Sequence, residues 1–284
     1  MRKQIRVRVF EAEVQHHEGL YRKILQIYPG DPNNCGAFLA NLDGEAPEAE
    51  KLLAVFTSYG MTKWVDRSRS PLPNEFEFKM EAKFDREDFE KAPLLMWFPE
   101  EYVGEVCETD ESGVVHFNTS EFDMGEVAPK TRGALFSGKL HLAKALTDSL
   151  VSDGFRKIIE ESGLVGCTFE REVVFVGDQA GRIPQKYWVI GTNVVLPPLS
   201  RRTVWEDAEG RRVAGPEVPG ASIPTGEIYR YDEASLAPLG EFDNAMMLES
   251  DPKEPAMVMS QRFYQLCRKH KIRLVLEPVG VVKN

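Results

Sequence analysis

The hydrophobic pattern of the chain repeats itself. Val151–Val176 reads VSDGFRKIIEESGLVGCTFEREVVFV, and a second version closes the chain over Met259–Val282. Ser152 falls on Ser260, Phe155 on Phe263, Ile158 on Leu266 and Leu164 on Ile272, all at one constant offset. The shared grammar is Ser-x-x-Phe-x-x-apolar-apolar-x-x-x-x-apolar, followed by an extended run. It predicts a helix, a turn and a strand. Each serine is an N-cap. Phe155, Ile158 and Ile159 make an i, i+3, i+4 face. Ser162-Gly163 ends the first helix, because glycine takes the left-handed conformation cheaply, and Leu164 makes the closing hydrophobic contact. In the second copy Phe263, Leu266 and Cys267 face inward. Arg268, Lys269 and Lys271 crowd the last turn and His270 stands beside them, where the helix dipole favours cations.

The rest of the chain gives shorter signals. Ile5, Val7 and Val9 alternate with Arg6 and Arg8, which predicts an opening strand. Phe76–Phe84 alternates strictly, so one face meets a core and the other water. Pro47–Tyr59 reads as a helix with Pro47 in its first turn and Glu48 and Glu50 at its positive end. Asp85 caps a short helix, with Asp88 at its third position, and Pro93 ends it. Leu94–Phe98 is a continuous apolar run, too short for a helix and suited to a strand covered on both faces. Leu135, Leu142, Leu146 and Leu150 fit a helix over Leu135–Leu150. Val114–Phe117, Cys167–Val176, Tyr187–Leu196, Glu227–Tyr231 and Leu274–Val281 read as strands. The predicted fold class is α+β, with mainly antiparallel sheets, four or five helices and a duplicated helix–turn–strand unit. Two lobes, 1–150 and 151–284, or one fused domain, accommodate it.

Charge narrows the partners. The net charge is −10 over 284 residues, which repels phosphate backbones and argues against nucleic acid. A basic partner suits it better, because opposite net charge speeds encounter. No run approaches the roughly 20 apolar residues of a membrane span, and MRKQIRVRVF lacks an apolar signal core. A cytoplasmic, reduced setting is the expectation.

No residue pattern in the chain makes a catalytic, cofactor or metal site. Cys35, Cys107, Cys167 and Cys267 are too widely spaced for a zinc motif. The five histidines form no metal-binding pair; adjacent His16 and His17 point apart and suit a solvated turn. No glycine pattern makes a phosphate cradle or a nucleophile elbow. The best functional hint is the turn-rich excursion Arg201–Pro224. There Arg201, Arg202, Trp205, Arg211 and Arg212 have the Trp and Arg composition of interface hot spots.

LVSDGFRKIIEESGLVGCTFEREVVF and MVMSQRFYQLCRKHKIRLVLEPVGVV resemble the paired segments of a bacterial family that includes the myxobacterial double-CXXCG paralogues and related planctomycete proteins. Phe84–Met96 resembles the segment that precedes the first unit in some relatives. The resemblance covers about residues 76–176 and 225–282. This chain departs from the namesake: only Cys107 lies where relatives carry C-x-x-C-G pairs, so no zinc site carries over. Some members resemble immunity proteins that neutralise a sibling toxin. The resemblance implies a non-enzymatic, protein-binding inhibitor of a cognate toxin, without a cofactor. The alternatives are a structural or adaptor subunit of a larger assembly, and an enzyme of unrecognised class. For the enzyme, the sign is His116 or His141 beside a carboxylate in a concave pocket.

Overall fold

The computed structural model describes residues 2–10, 18–27, 37–43, 46–58, 76–104, 108–111, 114–119, 127–145, 148–206, 212–215, 227–249 and 256–283. His16-His17, Cys35, Cys107 and Arg211 lie outside them. The chain forms two units, Met1–Asp88 with Arg201–Ile228, and Phe89–Ser200 with Tyr229–Asn284. The boundary expected at residue 150 falls inside the second unit, in the middle of a strand.

In the first unit, β1 (Arg2–Phe10) is followed by α1 (Glu18–Ile27), β2 (Ala37–Asp43), α2 (Pro47–Ser58) and β3 (Phe76–Lys83). The three strands form an antiparallel sheet in the order β2-β1-β3. The register sets Ile5 opposite Leu42 and Met80, and Val7 opposite Ala40 and Phe78. The alternation seen in the sequence therefore lines apolar positions into rows across the sheet. Ile24 of α1 and Leu52 of α2 are fully buried. The helix α3 (Arg86–Lys91) starts on a reciprocal cap. Asp85 Oδ1 accepts the Glu87 and Asp88 N–H groups, and Asp88 Oδ2 accepts the Asp85 N–H.

The second unit begins with β4 (Leu94–Pro99), β5 (Glu108–Thr109) and β6 (Val115–Asn118). Then come α4 (Pro129–Phe136), β7 (Leu142–Lys144), β8 (Ser149–Ser152), α5 (Asp153–Glu161), β9 (Thr168–Val176) and β10 (Tyr187–Gly191). After the first unit's two-stranded ribbon, β11 (Trp205–Glu206) and β12 (Arg212–Val213), the chain returns as β13 (Tyr229–Asp232) and α6 (Glu233–Leu236). It ends with β14 (Asn244–Met246), β15 (Met257–Ser260), α7 (Gln261–Lys269) and β16 (Leu274–Val282). Five of the seven α-helices among the described residues have eight residues or more; α3 and α6 are shorter.

A helix over Leu135–Leu150 is not present. Pro129 opens α4 and Gly138, at φ 69°, closes it. Leu142 and Leu150 belong to the β7–β8 hairpin, which Ala145 and Asp148 close with reciprocal backbone hydrogen bonds of 2.8 and 3.1 Å. Leucines that fit a 3.6-residue period also fit two short strands flanking a turn.

Two sheets result, ordered β5-β6-β9-β10-β8-β7 and β13-β16-β4-β15-β14. Apart from the extra edge strand β5, they match strand for strand. β6 runs parallel to β9 as β13 runs parallel to β16, and β7 pairs with β8 as β14 pairs with β15. The register matches too. Tyr187 of β10 stands between Ser152 and Val173; Leu94 of β4 stands between Ser260 and Val279. The duplication is thus larger than the helix–turn–strand unit legible in the sequence. It is also exchanged. β4, which precedes the first copy, lies at the centre of the second sheet, and β10, which follows the first copy's helix, lies at the centre of the first. Beyond β4, Tyr102 bridges Lys144 at the outer edge of the first sheet; beyond β10, Val195 bridges Met246 at the outer edge of the second. Each connecting strand therefore completes one sheet and protects the open edge of the other.

Both faces of β4 are covered, as its apolar run predicts. Leu95 and Trp97 enter a middle core with Val151, Phe155, Ile190, Met259, Phe263 and Cys267. Leu94 and Met96 enter an outer core with Tyr231, Val258 and Val279. A third core lies on the other face of the first sheet, around Phe117, Leu135, Leu150 and Tyr187. Both repeat helices and the inner faces of both sheets share the middle core. Trp97 and Phe263 meet there edge to face, with ring centroids 5.7 Å apart.

The two helix ends make a matched test. Gly163 has φ 62°, and its counterpart Lys271 has φ 56°. A side chain in this region costs about 1–2 kcal/mol. Lys271→Gly is expected to stabilise the protein by about 0.5–1 kcal/mol and Gly163→Ala to destabilise it by about 1 kcal/mol in urea unfolding. Equal effects of the same sign at both sites would contradict the matched turns.

Candidate functional site: the paired junctions between the repeats

The two copies start their helices on the same arrangement. Ser152 Oγ accepts the Phe155 N–H at 3.3 Å, and Ser260 Oγ accepts the Phe263 N–H at 3.2 Å, so both predicted caps are formed. Each serine N–H also donates to the backbone of a matched position, His141 O at 2.9 Å and Asp243 O at 3.0 Å. The side chains at those two positions stand behind the caps: His141 Nδ1 lies 3.3 Å from Ser152 Oγ, and Ser260 Oγ donates to Asp243 Oδ1 at 2.5 Å. One junction is built on an imidazole and the other on a carboxylate.

Asp243 is the denser hub. Its side chain is 7% exposed. Its Oδ2 accepts the Val165 N–H at 2.9 Å and Arg262 Nη1 at 3.3 Å. Arg262 Nη2 reaches across to the Ser162 and Gly163 carbonyls at the end of α5. One acid therefore ties the start of the second helix to the end of the first. The buried charge is compensated by an arginine and by two other donors. Backbone approach is tight here: a Cβ on Gly166, at φ 92°, would lie 2.3 Å from Asn244 O. Only glycine fits that position.

The opposite junction holds two histidines. The His141 and His270 rings lie 6.1 and 5.7 Å from the Phe155 ring. Burial, and then the neighbouring His270, hold the His141 pKa below its ordinary value. Burial, and then Asp243, push the Cys167 thiol up to about 12. Burial pushes Cys267 up further, with a smaller contribution from Cys167. Both thiols stay neutral and unreactive at physiological pH, as expected of buried small hydrophobes.

His116 does stand beside a carboxylate, with Nε2 2.9 Å from Asp110 Oδ2. Both side chains are about one-third exposed on the β5–β6 hairpin. Asp110 Oδ1 accepts the Val114 N–H at 3.1 Å, and Asp110 and Val114 also pair through backbone. The dyad closes a turn. Among the described residues no three His, Cys, Asp or Glu side chains converge on a possible metal position. No helix among them is long and apolar enough to cross a membrane.

The residues singled out in the Arg201–Pro224 excursion separate. Arg201 and Arg202 are exposed in a turn, and Arg212 is exposed on β12. Trp205 is buried, at 8% exposure, on β11 opposite Val213. It does not present an exposed hot spot. An exposed apolar strip appears where periodicity gave no warning. Val174 and Val176 on β9 are 37% and 38% exposed, opposite His116 and Asn118 of β6. Glu172 continues the same face of β9, where it pairs with Lys186 Nζ at 2.7 Å. At the neighbouring strand the Arg156 guanidinium lies 4.3 Å over the Trp188 ring.

No family model, no curated protein and no solved structure matches this chain.

The histidine junction gives a pH prediction. The folded pKa of His141 is below the unfolded value of 6.5. As pH falls, the unfolded chain takes up the proton first, so stability declines below about pH 6.5 and is unaffected above it. His141→Gln is expected to flatten the loss of Tm between about pH 7 and pH 5. An unchanged slope would show that the histidine junction does not couple to protons.

Proposed function

We propose that this protein is a non-enzymatic protein-binding protein, an immunity-type inhibitor of a cognate bacterial toxin, working in the cytoplasm. The observation that carries the reading is the uncovered strip of the first sheet, with Val174 and Val176 beside the Arg156–Trp188 stack and the Glu172–Lys186 ion pair. Exposed apolar side chains edged by charge suit a protein interface. Aromatic and arginine side chains are the common anchors of such interfaces. The net charge of −10 suits a basic partner. The resemblance of the repeat segments to those of immunity-like proteins points the same way. An inhibitor needs a surface that occludes a toxin's site, and the junction residues that look chemical are used by the fold. The exposed Arg201, Arg202 and Arg212 supply a second contact region in this reading.

Co-expression with the product of the adjacent gene tests this. Growth rescue and a stable complex of the two purified proteins are expected. Val174→Asp with Val176→Asp is expected to weaken the complex at least about tenfold, while Tm changes by only a few degrees, since both side chains are exposed. No rescue and no complex would overturn the inhibitor reading. Rescue unaffected by the double substitution would move the interface elsewhere.

A further inference from the structure

Each exchanged strand arrives with a lead-in, and the two lead-ins differ. Before β4 it is α3, whose last turn belongs to the second unit and seats on α7. Gln261 Nε2 donates to the Phe89 and Ala92 carbonyls, both at 2.6 Å, and closes the helix end. Arg268 Nη1 pairs with Glu90 at 2.6 Å, and Phe89 packs on the middle core. Tyr264, between these two contacts on α7, is buried. Gln261, Tyr264 and Arg268 stand at i, i+3 and i+7, on one face of the helix.

Before β10 the matched segment is the 3-10 turn Ala180–Arg182, and it goes to the other face of its sheet. The Arg182 guanidinium lies 4.1 Å over the Phe136 ring of α4, and Ile183 packs on the third core. Gln185 Nε2 donates to the Gly138 and Leu140 carbonyls. The lead-in that would match α3 is therefore spent on α4, away from α5. The α5 face carries Asp153, Arg156 and Glu160 where α7 has Gln261, Tyr264 and Arg268. Trp188 takes the register position of the fully buried Leu95, yet it is only half-buried. The Glu160 side chain is 50% exposed, against 31% for Arg268. Val174 is exposed on the same sheet face, two residues from Glu172, which stands opposite Trp188.

We propose that this α5 face docks a short amphipathic helix of a partner protein, seated as α3 seats on α7, with a lysine or arginine meeting Glu160 and an apolar side chain on Trp188 and Val174. α3 is the internal template for the size and placement of that helix. The reversed charge at Glu160 sets its sign: α7 takes an acid from α3, and α5 takes a base from the partner. The proposal rests on the reading of this strip as an interface, but not on the partner being a toxin.

The test titrates the full chain with two helical peptides of residues 84–93, stapled on the side away from Phe89. One has the native sequence and the other has Glu90→Lys. Amide resonances of α5, α7 and β9 are followed. The Glu90→Lys peptide is expected to shift amides of Asp153–Glu161 and Val174, and to bind there about fivefold more tightly than the native peptide. Glu160→Arg, at an exposed position, is expected to reverse that preference, and Val174→Asp to weaken both peptides. No shift on α5 with either peptide, shifts confined to α7, or a preference unchanged in Glu160→Arg would overturn the helix site. If the adjacent gene's product still forms a complex that Val174→Asp with Val176→Asp weakens, that failure removes the helix and leaves the interface. Peptide binding on α5 without such a complex supports the helix site and removes the toxin reading.

Discussion

The strand exchange between the two copies is the constraint on which the second unit depends. A sheet of this kind needs its central strand before the outer ones have anything to pair with. β4 and β10 are those central strands, and each arrives from the segment that precedes or follows the opposite half. Neither sheet is complete within one copy. The arrangement also explains the single middle core. Leu95 and Trp97 of β4 and Ile190 of β10 meet Phe155 and Phe263 there, one phenylalanine from each repeat helix. Burying these side chains in a shared core stabilises both halves together, at about 1.5–3 kcal/mol for each large apolar side chain.

On that frame the junctions take on unequal roles. The Asp243 junction is fastened by a carboxylate, an arginine, a serine and a backbone N–H. The His141 junction is looser and titratable, with two imidazoles against one phenylalanine ring. A duplication begins with identical copies, and the differences that accumulate on a constant backbone mark where the chemistry has diverged. Arg171 and Glu277 are a further difference: they occupy one register position with opposite charge.

Much of the fold was legible. The serine caps, the inward Phe155 and Phe263 and the glycine stop at Gly163 are local features, and local rules find them. The both-faces burial of Leu94–Met96 followed from an unbroken apolar run. Other features were hidden because they are non-local. Strand exchange leaves no trace in periodicity, since β4 reads as a buried strand whichever sheet receives it. His141 and Asp243 share no chemistry, so their equivalence emerges only from backbone register. Leu142 and Leu150 showed a helical spacing that a glycine with positive φ overrode. Trp205 had the composition of an interface anchor, but composition does not report which way a strand turns its side chains.

Native-state hydrogen exchange tests the exchanged duplication most directly. Amides of β4, β15 and β16 report one sheet and those of β8, β9 and β10 the other. If each sheet is completed by a strand tied to the other half, both sets open in one cooperative event, with the same free energy and the same denaturant dependence. Two separate opening energies, one for each sheet, would contradict the account.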